Sequence, residues 1–188
     1  MVPLLHCFNE KKYFFSTDNM EKILMHKYPL VIGAQEPVLR ALAVPIRTLN
    51  TEIRSLAFDL IELMRLYDGV GLAAPQIGKS LRMFAYTQWD TSKKKRELLE
   101  EGIMINPKLV HSSQELCTEK EWCLSLPGIE WDVERSVYIT IAYMDIRGKQ
   151  QIKKATWYNA RILLHELDHL DGILFIDKAK KIVEKKKW

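Results

Sequence analysis

Between Asn50 and Gly69 the apolar positions Ile53, Leu56, Ala57, Leu60, Met64 and Tyr67 fall on one face of a 3.6-residue repeat. That spacing predicts a helix with its stripe turned to a core. Asn50 or Thr51 is placed to cap its start, and Gly69 to end it. A proline-punctuated stretch, "EPVLRALAVPI", leads into this helix. After it come a glycine-rich loop, "GVGLAAPQIG", and a strand, "LRMFAYTQW". The hydrophilic segment "DTSKKKRELLEEG" predicts a solvated loop, and "IMINPKLV" a further strand. Val137, Ile139, Ile141 and Tyr143 then alternate, the chain turns near Asp145–Gly148, and it returns, which is the pattern of a β-hairpin. A final helix runs from about Trp157 to Leu170.

Strand-rich sequence ahead of one late helix predicts an α+β fold, with antiparallel or mixed sheets packed around the long C-terminal helix. Residues 1–29 show no clear period and read as an N-terminal extension of unassigned role, with one short helix near Met20–His26. Residues 30–177 carry the patterned elements of one domain, and 178–188 form a lysine-rich tail. At 188 residues the chain is long enough for one domain with a real core. A net charge of +4 is compatible with a ribosome or nucleic-acid neighbour and requires neither, so direct nucleic-acid readout is not expected. No apolar run reaches the length of a membrane span.

The first residues lack a basic segment ahead of an apolar one, and no arginine precedes Arg40, which argues against a secretory signal and a mitochondrial presequence. Cys7, Cys117 and Cys123 are too few and too irregular for a disulfide framework. The expected home is the cytoplasm, with an organelle address left open. In a reducing compartment a cysteine is free to ligate metal.

The stretch "LLHELDHLDG" carries the chemistry. Residues four apart in a helix share a face, so His165 and His169 can offer imidazole nitrogens to one ion. Glu166 sits one step round, placed to take a proton from water, the H-E-x-x-H arrangement of metal-dependent hydrolases. A catalytic site of this kind needs a third protein ligand. Cys123, in "EWCLSLPG", is attractive because Pro127 and Gly128 fix a turn close after it. Spacing alone leaves Cys117 open and makes Cys7 the weakest candidate. One thiolate and two imidazoles admit zinc, iron, cobalt or nickel. In "GVGLAAPQ", Gly69 and Gly71 let backbone approach a substrate, and the Gln76 amide is a potential oxyanion donor.

Together, "GVGLAAPQ" (Gly69–Gln76), "EWCLS" (Glu121–Ser125) and "LHELDHLDG" (Leu164–Gly172) resemble the three ordered motifs of the peptide deformylase family, and the likeness extends over roughly residues 30 to 177. The resemblance implies a metal held by Cys123, His165 and His169, usually Fe2+, with Zn2+, Ni2+ or Co2+ also accepted. It implies Glu166 as general base and acid, and an oxyanion site formed by Gln76 and the Leu124 backbone N–H. The substrate class it implies is the N-formylmethionine terminus of new peptides, deformylated to release formate. The peptide would lie against Val70, Gly71 and Trp122, and its methionine against Val70 and Ile162. Asp168 is expected as a hydrogen-bonding partner behind the ligands or as a solvated carboxylate.

Two positions depart from the family pattern, each beside a metal ligand. Trp122 stands where glycine is usual, a strained choice if the backbone there is left-handed. Leu164 stands where glutamine is usual and cannot make an amide's hydrogen bonds. Two rival readings follow: a related protein that binds nascent N-termini without hydrolysis, and a metallopeptidase cutting internal bonds. Intact Glu166 and Gln76 speak against the first, and the cysteine ligand against the second. The tail "DKAKKIVEKKKW" reads either as a solvated end or as the ribosome-contacting extension found in bacterial family members.

Overall fold

The computed structural model describes residues 26–93, 95 and 97–179. The short helix expected near Met20–His26 lies outside these, His26 aside, and so does the lysine-rich end beyond Ala179. The elements are α1 (Pro37–Arg40), α2 (Thr51–Leu66), β1 (Gly71–Ala73), β2 (Met83–Asp90), β3 (Glu97–Ser112), β4 (Leu116–Cys123), β5 (Leu126–Ser136), β6 (Tyr138–Met144), β7 (Gln150–Thr156), α3 (Trp157–Leu170) and α4 (Phe175–Lys178). Five strands form one sheet in the order β1-β2-β3-β6-β7, and β4 and β5 form a separate ribbon. Every strand pair is antiparallel.

Around β1, the start of β2 and the middle of β3 the large sheet is buried on both faces, and the alternation of β2 and β3 shows how. Met83, Ala85, Ile103 and Ile105 pack with Leu56, Leu60, Leu63 and Met64 of α2. The intervening Phe84, Tyr86 and Met104 point the other way and pack with Ala160, Leu163 and Leu170 of α3. A central strand between two helices reads as continuously apolar, as β2 does at its start. A third, smaller cluster joins the ribbon to α1 and α4 through Leu39, Cys123, Leu126, Val133, Leu174 and Phe175.

The two long helices and the β6–β7 hairpin fall where the sequence puts them, and Asn50 caps α2 by accepting the Ile53 N–H at 2.9 Å. Three expectations need correction. Helix α2 is terminated by Asp68, which takes the left-handed conformation (φ 52°), while Gly69 only donates its N–H to Met64. Aspartate tolerates that region better than most residues. The hydrophilic segment is not a loop throughout, since Asp90 pairs with Glu97 and Trp89 with Leu98 where the β2–β3 hairpin runs out past the core. Backbone pairing needs no buried face, so solvent-facing polarity hid the strand. Third, "GVGLAAPQIG" is not wholly loop, because Gly71–Ala73 is strand β1 and Ala74–Ile77 a 3-10 turn.

Candidate metal centre

Three elements that share no local sequence meet around Cys123. The ribbon turns back at Leu124–Ser125, so Cys123 at the end of β4 faces Leu126 at the start of β5. Pro127 and Gly128, expected to make that turn, belong instead to a bulge that follows it, Glu130 being the next residue in register, opposite Trp122. Gly128 takes φ 79° there. Helix α3 supplies His165 and His169, whose rings stand edge to face with centroids 5.0 Å apart. The ligand atoms of Cys123, His165 and His169 all lie within 4.8 Å of one another. Cys123 Sγ and His169 Nε2 are 3.2 Å apart.

The residues present fit a metal. His165 Nδ1 is 2.9 Å from Glu121 Oε2, which leaves Nε2 as the nitrogen free to ligate. A thiolate and two imidazoles give three of the four positions of a tetrahedral ion and leave one open. Burial opposes a charge on His165, but hydrogen bonds to Cys123 and Glu121 outweigh it and hold its pKa well above the ordinary imidazole value. His169, by contrast, is pushed well below the ordinary value by burial and by the neighbouring His165.

Glu166 is buried beside the ligands, and its Oε2 has no hydrogen-bond partner among the described residues. Burial pushes its pKa up to about 7, with help from the nearby Glu121 and Asp168 charges and against the pull of His165. A carboxyl poised there can both take and return a proton near neutral pH. Gly71 makes the space for it, since a Cβ on Gly71 would fall 2.3 Å from Glu166 Oε1. The glycine that sequence reasoning gave to substrate approach thus also accommodates the carboxyl. Gln76 is buried, with Oε1 accepting the Ala73 N–H at 2.8 Å. That hydrogen bond turns its amide Nε2 toward Cys123 Sγ at 3.5 Å and Ser125 Oγ at 3.2 Å. Leu124 occupies the ribbon turn directly after Cys123, and its side chain lies against Gly69, where an added Cβ would be 3.0 Å from Leu124 Cδ1.

Of the expected substrate contacts, Val70 and Ile162 share one apolar cluster, Ile162 inside it and Val70 half-buried against it. Strand β1 is an edge of the five-stranded sheet. Trp122 is half-buried against the α2-side core. It lies in β4, and left-handed backbone among the described non-glycine residues occurs only at Asp68, Asn106 and Trp157. No backbone strain follows from tryptophan there. Leu164 packs against the α3-side core. Asp168 is not solvated, for it is buried and accepts from Arg135 and Lys178.

Glu121 was overlooked as a functional residue. It lies two positions before Cys123 in a strand, hence on the same face, and that spacing would have exposed it had β4 been read as a strand. Burial opposes its ionisation, but hydrogen bonds from Arg135 and His165 prevail and hold it well below the usual carboxylate range. The other metal-capable group among the described residues is His26, Asp59 and Glu62. There His26 Nδ1 accepts the Tyr28 N–H, which places the ring proton on Nε2, the nitrogen facing Glu62.

Comparison with known proteins agrees with this geometry. The family profile described as polypeptide deformylase matches residues 29–185. A peptide deformylase of Rhizobium meliloti is 42% identical over 154 residues, covering 82% of this chain and 86% of that protein. The crystal structure of peptide deformylase from Thermotoga maritima superposes with a TM-score of 0.72 at 35% identity, over 83% of this chain and 99% of that one. A class I type b peptide deformylase from Acinetobacter baumannii, solved with Met-Ala-Ser bound, gives a TM-score of 0.74 at 29% identity, covering 80% and 97%.

Proposed function

Because the chain belongs to the peptide deformylase family, we propose that it removes the formyl group from the N-terminal formylmethionine of nascent polypeptides and releases formate. The observation that carries this reading is the convergence of Cys123, His165 and His169 with a buried carboxyl of raised pKa, Glu166. Binding of Met-Ala-Ser by the Acinetobacter relative supports a peptide that begins with methionine.

Cys123, His165 and His169 would hold one divalent ion. When bound, that ion supplies Lewis acidity, polarising a carbonyl and acidifying water. The donor set accepts Fe2+, Zn2+, Ni2+ or Co2+, and we assign Fe2+ in the cell on the family resemblance. Glu166 takes a proton from the water that attacks the formyl carbon. As the C–N bond breaks, the same carboxyl gives that proton to the departing amine, leaving formate and a free methionine terminus. The Gln76 amide and the Leu124 backbone N–H donate to the oxygen that gains negative charge in the transition state, where one such donor contributes roughly 3 kcal/mol.

The peptide backbone adds along the free edge of β1 at Val70–Gly71 and meets the ribbon at Trp122, with the methionine side chain against Val70 and Ile162. A formyl carbon bears only hydrogen, so a narrow space at that point rejects acetyl groups and internal peptide bonds. No described helix is long and apolar enough to cross a membrane. Action on formylated nascent chains fits the cytoplasm and equally an organelle that makes its own protein. Glu166→Ala tests the assignment of roles. The variant is expected to retain stoichiometric metal and lose formate release by about 100-fold or more. Hydrolysis at the parental rate would remove Glu166 from the mechanism.

A further inference from the structure

The helix face that meets the ribbon is polar where an ordinary joint would be apolar. Arg161, His165 and Asp168 follow one another at positions i, i+4 and i+7 along α3. All three are directed at β4 and β5, while Ile162 and Leu163 carry the packing on the large sheet. Arg161 is 7% exposed, one helical turn before His165, and the reaction as described above gives it no part.

Its contacts run to both strands of the ribbon. Nη1 donates to Glu121 Oε1 at 2.7 Å, to the Val133 carbonyl at 2.9 Å and to the Glu119 carbonyl at 3.5 Å. Nη2 donates to the Cys117 carbonyl at 2.8 Å, and Nε lies 3.4 Å from Glu119 Oε2. Glu121 is then held from all sides. Its Oε1 accepts from Arg161 and from Arg135 Nε at 2.8 Å, and its Oε2 accepts from Arg135 Nη2 at 2.8 Å while facing His165 Nδ1. Cys123 and His169 are 46 residues apart in sequence, so their spacing depends on how the ribbon is fastened to the helix. The fork of a guanidinium can bind a carboxylate and several carbonyls at once, which an ammonium cannot.

We propose that Arg161 is a positioning residue of the metal centre: it fixes Glu121, and through it the orientation of His165, and ties the ribbon bearing Cys123 to the helix bearing both histidines. The inference rests on the metal-centre reading above. Removal of groups that orient ligands typically costs 10- to 100-fold in metal affinity. Arg161 therefore governs how tightly and in what geometry the ion is held, in addition to any contribution to folding.

The test uses the full chain loaded with Co2+, comparing wild type, Arg161→Met and Arg161→Lys. Three quantities are read: the rate of Co2+ loss to a chelator, the visible Co2+ spectrum, and kcat and KM for a formyl-methionyl peptide. Arg161→Met is expected to release Co2+ at least about 10-fold faster, with an altered ligand-field band and a lower kcat at nearly unchanged KM. Arg161→Lys should fall between, since it keeps the charge and loses the fork. Parental release rate and spectrum in Arg161→Met, even with a lower melting temperature, would overturn the proposal and leave Arg161 a fastening of the ribbon alone. If Arg161→Met does not fold, Arg161→Lys decides, and parental metal retention in it overturns the proposal equally. A wild-type protein that takes up no Co2+ would overturn the metal-centre reading itself, and this inference with it.

Discussion

Gly71 and Glu166 illustrate how closely single residues are fitted here. An alanine methyl at position 71 would lie 2.3 Å from Glu166 Oε1 and 2.6 Å from its Cδ. The obstructing atoms, Oε1, Cδ and Cγ, all belong to the buried Glu166 side chain and none to backbone, so it is that side chain that must shift. The cost of Gly71→Ala thus falls on the reaction. Formate release should drop by about 100-fold or more, the scale of a misplaced general base, while metal content stays at the parental value. Parental turnover in that variant would show that Glu166 does not work from the position it occupies. At position 122 the same question has the opposite answer. Tryptophan fits there because β4 keeps extended backbone up to Cys123 and the indole has core to pack on.

At the scale of elements, one carboxylate organises the turn of the β6–β7 hairpin. Asp145 Oδ1 accepts the backbone N–H groups of Arg147 and Lys149, both at 2.9 Å, and Oδ2 accepts the Gln151 amide at 3.0 Å. These bonds, the Lys149 N–H foremost, lower its pKa to about 2 from 3.8. A depressed carboxyl contributes stability above its unfolded value, and that contribution is lost as pH falls through the folded one. Asp145→Ala should therefore lower the melting temperature at neutral pH and flatten the stability loss between pH about 4 and 2. An unchanged acid limb would contradict this.

The hairpin itself was legible, because its alternation is regular and its turn residues are distinct. The ribbon was not. Glu121 and Arg135 point inward from it and satisfy each other, so the buried face carries charges where a strand pattern looks for apolar residues.

For the molecule as a whole, the side chains of the candidate site were legible and their support was not. Cys123, His165, His169, Glu166 and Gln76 stand in three short motifs, and the fold brings them together as those motifs imply. The carboxylate and two arginines that hold them in place are scattered from Glu121 to Arg161, and no local pattern links them. The lysine-rich end extends the question beyond the site. If it reaches the ribosome, removal of residues 181–188 should reduce co-sedimentation with ribosomes at low salt and leave hydrolysis of a short peptide unchanged. Equal sedimentation with and without those residues would assign the tail to solvent.

This chain hydrolyses a formamide at a metal centre of one cysteine and two histidines. The most direct measurement is formate release from a formyl-Met tripeptide, with protein prepared without oxygen and loaded with Fe2+ or Ni2+, since a thiolate-bound ferrous site is open to oxidation. Catalytic release is expected, lost on chelation and restored by metal, with no cleavage of the unblocked peptide. A folded, metal-loaded protein that binds the peptide and yields no formate would contradict the account and identify the chain as a binder of nascent N-termini.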